Sequence, residues 1–125
     1  MIQQQTIVKV MDNSGIKVVK CLKILRLKTK KVKLGNFGIV VVQKLRNKVK
    51  NLFKFKKGQI FRALIIQLNK KVIKKNGLSI LFKTNYIILL NKHNLPIGNR
   101  VFGIVPKNIT NIKSIKFAVL SSGVI

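Results

Sequence analysis

Acid–base, nucleophilic and metal chemistry all need ionisable side chains in groups, and this sequence has very few of the right kinds. Asp12 is its one acidic residue, His93 its one histidine and Cys21 its one cysteine. A single carboxylate cannot form a general acid/base pair. Asp12 also falls in Asp12-Asn13-Ser14-Gly15, a turn-forming run in which the side chain has a local structural task. His93 lies in the polar segment Asn91-Lys92-His93-Asn94, which reads as a solvated loop without the partners that a base or ligand needs. Cys21, in an apolar stretch between Val19 and Leu22, reads as a small buried hydrophobe. Ser14, Ser79, Ser114, Ser121 and Ser122 have no matching base, and Gly35-Asn36-Phe37-Gly38 lacks the spacing of a phosphate-binding glycine loop. The expectation is a protein that is not an enzyme and carries no cofactor or metal.

The chemistry that the sequence does supply is cationic. Among 125 residues there are 27 Lys plus Arg, for a formal net charge of +26 at pH 7. Such a chain repels itself and attracts any polyanion. A nucleic-acid backbone supplies the missing negative charge, and binding to it releases condensed counterions. A membrane surface attracts cations too, but that mode uses a basic amphipathic helix or a polybasic tail. Here the lysines run from Lys9 to Lys116, interleaved with apolar residues. No stretch approaches the ~20 apolar residues of a spanning helix, so no membrane insertion is expected, nor a small-molecule substrate. Hydrophobic residues make up 47% of the chain, too many for a disordered basic tail.

These cations must be held by elements, and the apolar runs are short, β-branched and bounded by turn signals. Strands are expected at residues 6–10, 18–25, 39–42, 59–68, 86–90 and 101–105, the one at 59–68 being the longest. In residues 18–25, Val18, Lys20, Leu22 and Ile24 alternate with Val19, Cys21, Lys23 and Leu25 on opposite faces. A hairpin is expected from 71–75 and 78–82 around Asn76-Gly77, because Asn-Gly between alternating runs is a strong tight-turn signal. Near the end, Ile112, Ile115, Val119 and Leu120 recur at the spacing of a short amphipathic helix. The length fits one domain, residues 1–125. Many short strands in so short a chain suggest a small closed barrel, since closure removes exposed edges.

On that scaffold the densest nucleic-acid contacts are expected from three basic segments. The first gives Lys23, Lys28, Lys30, Lys31 and Lys33. The second gives Lys44, Arg46, Lys48, Lys50, Lys54, Lys56 and Lys57, followed by Arg62. The third gives Lys70, Lys71, Lys74 and Lys75. Lysine is a compact point charge suited to phosphates rather than to bidentate base reading. The alternation Phe53-Lys54-Phe55-Lys56 can be a base-stacking platform, but one packed face and one charged face is the preferred reading. Charge alone also admits a free regulatory RNA-binding module.

Several motifs, in order, narrow this. The opening Met1-Ile2-Gln3-Gln4-Gln5-Thr6 is followed by Asp12-Asn13-Ser14-Gly15 and by Phe55-Lys56-Lys57-Gly58-Gln59-Ile60-Phe61-Arg62-Ala63. Asn76-Gly77-Leu78-Ser79-Ile80-Leu81-Phe82, Leu89-Leu90-Asn91 and Pro96-Ile97-Gly98-Asn99-Arg100-Val101-Phe102-Gly103 come next. The chain closes on Lys116-Phe117-Ala118-Val119-Leu120-Ser121-Ser122-Gly123-Val124-Ile125. In order and spacing these motifs resemble the universal large-subunit ribosomal protein fourteen family along essentially the whole chain.

The resemblance implies a mainly β fold: a five-stranded closed β-barrel with a projecting β-hairpin and a short helical C-terminal part. It implies a structural constituent of the large ribosomal subunit that binds large-subunit rRNA at the subunit interface. It further implies contact with small-subunit rRNA through intersubunit bridges, large-subunit proteins three and nineteen as neighbours, and docking of ribosome silencing factor. For the interface and factor-docking surface, the family's pattern falls on Asn99, Arg100 and Lys116. The sequence departs from that pattern at Lys83, at Ile104 and Val105, at Asn99, and in the loss of acidic residues around Lys107-Asn108-Ile109. Lys, Ile, Asn and Phe are abundant, whereas Ala occurs only at Ala63 and Ala118 and Arg at four positions, as A/T-rich codons dictate. With the family's first residue standing at Met1 and no transit-peptide composition ahead of it, an organelle-encoded protein of the mitochondrial matrix is expected. A plastid ribosome or the cytoplasm of an A/T-rich bacterium is the alternative.

Overall fold

The computed structural model describes residues 2–25, 32–46, 55–109 and 115–125. Five strands close a barrel: β1 (Ile7–Val10), β2 (Ile16–Ile24), β3 (Phe37–Leu45), β4 (Ile60–Gln67) and, beyond a hairpin, β7 (Tyr86–Leu90). Neighbours are antiparallel except at the seam, where β1 and β7 run parallel with Lys9 opposite Tyr86 and Val10 opposite Ile87. Between β4 and β7, β5 (Val72–Ile73) and β6 (Ser79–Ile80) form the hairpin. After β7 come β8 (Val101–Val105), a 3-10 turn (Lys107–Ile109), α1 (Ile115–Leu120) and β9 (Ser121–Val124), which pairs parallel to β8.

Two apolar layers explain why β4 and β7 read as unbroken hydrophobic runs. Ala63, Ile65, Ile87 and Leu89 point into the barrel with Val8, Val10, Ile16, Val19, Cys21, Val40 and Val42. Leu64, Ile66, Ile88 and Leu90 point outward, but Val101, Val105, Ile109 and Phe117 cover them. A strand buried on both faces loses its alternation. On the opposite wall, β1–β2–β3, the strands β1 and β3 keep it: β1 alternates exposed Ile7 and Lys9 with buried Val8 and Val10, and β3 alternates buried Gly38, Val40 and Val42 with half-buried neighbours. This wall is covered by no described element on its outer face, and it presents the charge.

Sequence periodicity and observed structure differ in several instructive places. The expected two faces of residues 18–25 would put Lys23 inside with Val19 and Cys21. Instead Cys21 pairs with Val40 and Lys23 with Ile39, so two residues of β2 face one step of β3. This bulge shifts the phase, exposing Lys23 and turning Ile24 towards the core. The strand expected at 39–42 runs from Phe37 to Leu45, and β2 begins at Ile16, so β2 and β3, with 9 residues each, outrun β4 with 8. The expected hairpin arms shrink to two residues each; Lys74 N–H bonds Leu78 O at 2.8 Å, and Gly77 takes a left-handed φ of 81°. The loop therefore spans more than the two-residue Asn-Gly turn.

The C-terminal helix is present but faces differently from expectation. Val119 is 79% exposed and Ile115 56%, whereas Phe117 is buried. Ile112 lies outside the described residues. The helix is too short for the expected periodic stripe, and one aromatic anchors it. Residues 121–124, read as the end of the tail, form β9, with Val101 opposite Ser121 and Ile104 opposite Gly123.

Candidate nucleic-acid interface

The turn picked out in the sequence as Asp12-Asn13-Ser14-Gly15 is the organising point of the fold beside β8. Asp12 is fully buried. Its Oδ1 accepts from Ser14 N–H at 3.1 Å and from the Ser14 hydroxyl, the local Asx-type contact that its residue type favours. Its Oδ2 reaches further and accepts from the Leu89 N–H of β7 at 3.1 Å. Burial pushes the Asp12 carboxyl above its ordinary value, against the Ser14 and Leu89 donors and the Arg46 charge, which pull it down. The side chain that sequence reasoning assigned a local task thus also fastens the turn to the barrel. The structure adds the same kind of service from Asn13. Asn13 N–H donates to Arg100 O, and Asn13 Oδ1 accepts from Arg100 N–H, both at 3.2 Å.

Gly98 closes this arrangement. A Cβ there would stand 2.6 Å from Asn13 Oδ1 and 3.0 Å from the Asp12 Cβ. The Pro96-Ile97-Gly98 loop therefore lies directly on the Asp12 turn, and the pair fixes Asn99 and Arg100, both exposed, at the foot of β8. Lys116 is exposed on α1, which packs against β8. The three residues assigned to interface and factor docking thus sit on neighbouring elements.

The cations expected to meet RNA divide into three groups. Lys23 and Lys44 stand exposed on the barrel wall. Lys33, Lys56 and Lys57 stand exposed at turns, while Lys70, Lys71 and Lys75 stand exposed around the hairpin with Lys74 half-buried. Arg46 and Arg62 are anchored: Arg46 donates from Nη2 to Asp12 O at 3.5 Å with its guanidinium 5.6 Å from the Phe102 ring, and Arg62 Nη1 donates to Asn94 Oδ1 at 3.2 Å. Lys28, Lys30, Lys31, Lys48, Lys50 and Lys54 lie outside the described residues, as does Phe53. Phe55 packs edge-on against Phe61 with ring centroids 5.4 Å apart, while Lys56 is exposed, which is the packed-face, charged-face arrangement.

Two grooves gather cations. Lys33, Lys70 and Lys71 line one between residues 32–34 and the base of the hairpin. Lys9, Lys17, Lys44 and Arg46 line the other, with Tyr86, at one rim of the barrel. Sequence reasoning missed Lys9 and Lys17 because it followed dense basic runs. The signal available was alternation: Lys9 between inward Val8 and Val10 must face out. The other titratable groups sit where the sequence put them. His93 is exposed, its backbone N–H donating to Asn91 Oδ1 at 2.9 Å, and Cys21 is buried in the barrel, where desolvation pushes its thiol up.

Since the one side-chain carboxylate is buried, no acidic side chain is left on the surface to offset the cations. A small closed barrel whose described surface carries cations without a carboxylate side chain to offset them defines a basic β-barrel protein. The profile of the family described as ribosomal protein L14p/L23e matches residues 1–125, and the chain belongs to that family. It is 40% identical over 126 residues to the large ribosomal subunit protein uL14 of Carsonella ruddii (strain PV), covering 100% of both chains. The chain is therefore a structural protein of the large ribosomal subunit and not an enzyme.

Proposed function

We propose that this protein binds large-subunit rRNA directly, through the β1–β2–β3 wall, which no described element covers, and the basic turns beside it, at the face that meets the small subunit. The observation that carries this is the contrast between the barrel's two walls. The β4–β7 wall is sealed by the C-terminal layer, whereas the opposite wall exposes Lys9, Lys23 and Lys44 with no surface carboxylate side chain anywhere in the chain. Positive charge without internal partners is matched by phosphates. A prefolded RNA would be engaged by shape and backbone charge more than by base reading. Direct crosslinking in intact particles tests this: crosslinks from Lys23 or Lys44 to rRNA are expected, and crosslinks to protein alone would overturn it.

Beside the Asp12 turn and on α1, Asn99, Arg100 and Lys116 form the surface for intersubunit bridges to small-subunit rRNA and for ribosome silencing factor. Large-subunit proteins three and nineteen are the neighbours. The support is that the three residues lie on neighbouring elements, Asn99 and Arg100 next to the Asp12–Asn13–Gly98 contacts and Lys116 on α1, which packs against β8. Arg100→Glu reverses charge on that surface, so subunit joining or factor binding is expected to weaken. Unchanged joining together with unchanged factor binding would refute the assignment.

The residue bias favours a mitochondrial ribosome as the location. The full-length bacterial relative favours the alternative, a ribosome in a bacterial cytoplasm. Cell fractionation separates the two, since only the first predicts co-purification with mitochondria.

A further inference from the structure

We infer that the groove around Tyr86 is a nucleotide-binding clamp, holding the phosphates of an unpaired RNA segment while the tyrosine ring meets a base. This rests on the RNA-binding reading above and assigns it a specific place and strand type. The groove lies where the end of β1, the start of β2, the end of β3 and the start of β7 meet. Lys9, Lys17, Lys44, Arg46 and Tyr86 line it. Sheet register brings them together: Lys9 is opposite Tyr86 across the parallel seam and opposite Val18 on its other side, and Val18 is opposite Lys44. The irregular step of β2 at Ile16–Val18 leaves Lys17 exposed at the same rim.

Two features separate this groove from a merely solvated basic face. The first is a fixed cation. Arg46 is held by Asp12 O and lies over the Phe102 ring, so less freedom is lost when it meets a phosphate. The second is an aromatic ring among four cations, in a chain where aromatics are scarce. Tyr86 is half-buried: part of it packs against the outer apolar layer, and part lines the groove. Lysine and arginine for the backbone and an aromatic for a base is the combination by which single strands are held. A duplex keeps its bases stacked and offers the tyrosine nothing. The anionic partner that fits is thus an unpaired stretch of RNA.

Tyr86 is the one tyrosine, and there is no tryptophan, so its emission reports on this groove alone. The experiment titrates the full chain with a single-stranded RNA of about eight nucleotides, with a duplex of equal charge, and with heparin. Quenching by the single strand, well beyond that by duplex or heparin, is expected. Tyr86→Leu, which preserves apolar packing, should weaken single-strand binding about tenfold, as loss of one stacked base does, and leave duplex binding unchanged; Tyr86→Phe should retain affinity. Lys9→Gln and Lys17→Gln should each reduce the salt slope by about one. Single-strand binding that leaves tyrosine emission and the Tyr86→Leu affinity unchanged would overturn the clamp but spare the general RNA-binding reading. So would equal quenching by heparin. Failure to bind any RNA would overturn both.

Discussion

Asp12 fastens its own turn to β7, and as the one acidic residue of the chain it is easy to test. Replacing it by Ala leaves the buried Leu89 N–H without an acceptor, at a cost of roughly 1–3 kcal/mol. Chemical denaturation of Asp12→Ala against the wild type measures that loss. Its pH dependence has a definite sign. Because burial raises the native value above 3.8, the folded chain holds the proton more tightly than the unfolded one. This contribution is therefore fully present below the unfolded value and is lost as pH rises through the native value. Relative to Asp12→Ala, the wild type should gain stability as pH falls from neutral through that window; a flat difference would contradict the burial argument. Gly98→Ala makes a second test. The added methyl meets Asn13 Oδ1 at 2.6 Å, so the Asn13–Arg100 contacts must open. Amide exchange at Arg100 should accelerate, with stability reduced by about 1–3 kcal/mol, the usual cost of overpacking.

At the scale of elements, the C-terminal layer decides whether β4 and β7 are buried once or twice. Phe117→Ala removes the aromatic that fixes α1, and about 3–5 kcal/mol is expected from its truncation. Ile115→Ala, on the exposed side of the same helix, should change stability little. Unfolding curves for the two variants distinguish the observed facing from the one that periodicity suggests. The contrast also shows what the sequence could and could not reveal. Strands at 7–10, 86–90 and 101–105 are legible because short β-branched runs stand between turns. The phase of β2 is not legible: a bulge at Leu22–Lys23 depends on its pairing with β3, which no local pattern encodes. The facing of α1 and the existence of β9 depend equally on partners distant in sequence, β4, β7 and β8. In the candidate interface, charge density marked the basic turns. It could not show that Lys9 and Lys17 converge on Tyr86 and Arg46, because closure of the barrel between β1 and β7 creates that neighbourhood.

For the whole molecule, the governing fact is a net charge of +26 with its one acidic side chain hidden in the interior. Family membership identifies the setting as the large ribosomal subunit, and the β1–β2–β3 wall is the side proposed to face RNA. Binding to RNA by so cationic a surface must weaken steeply as salt rises, since each neutralised phosphate releases counterions. A protein embedded in folded rRNA should nevertheless resist removal, because many contacts must break together. The measurement that bears most directly on this account is sedimentation of ribosomal particles from the native host after a high-salt wash. Co-migration with the large-subunit peak, with protein-to-rRNA crosslinks recovered from that peak, is predicted. A chain found wholly outside the large-subunit peak, in a free pool exchanging among many RNAs, would contradict it.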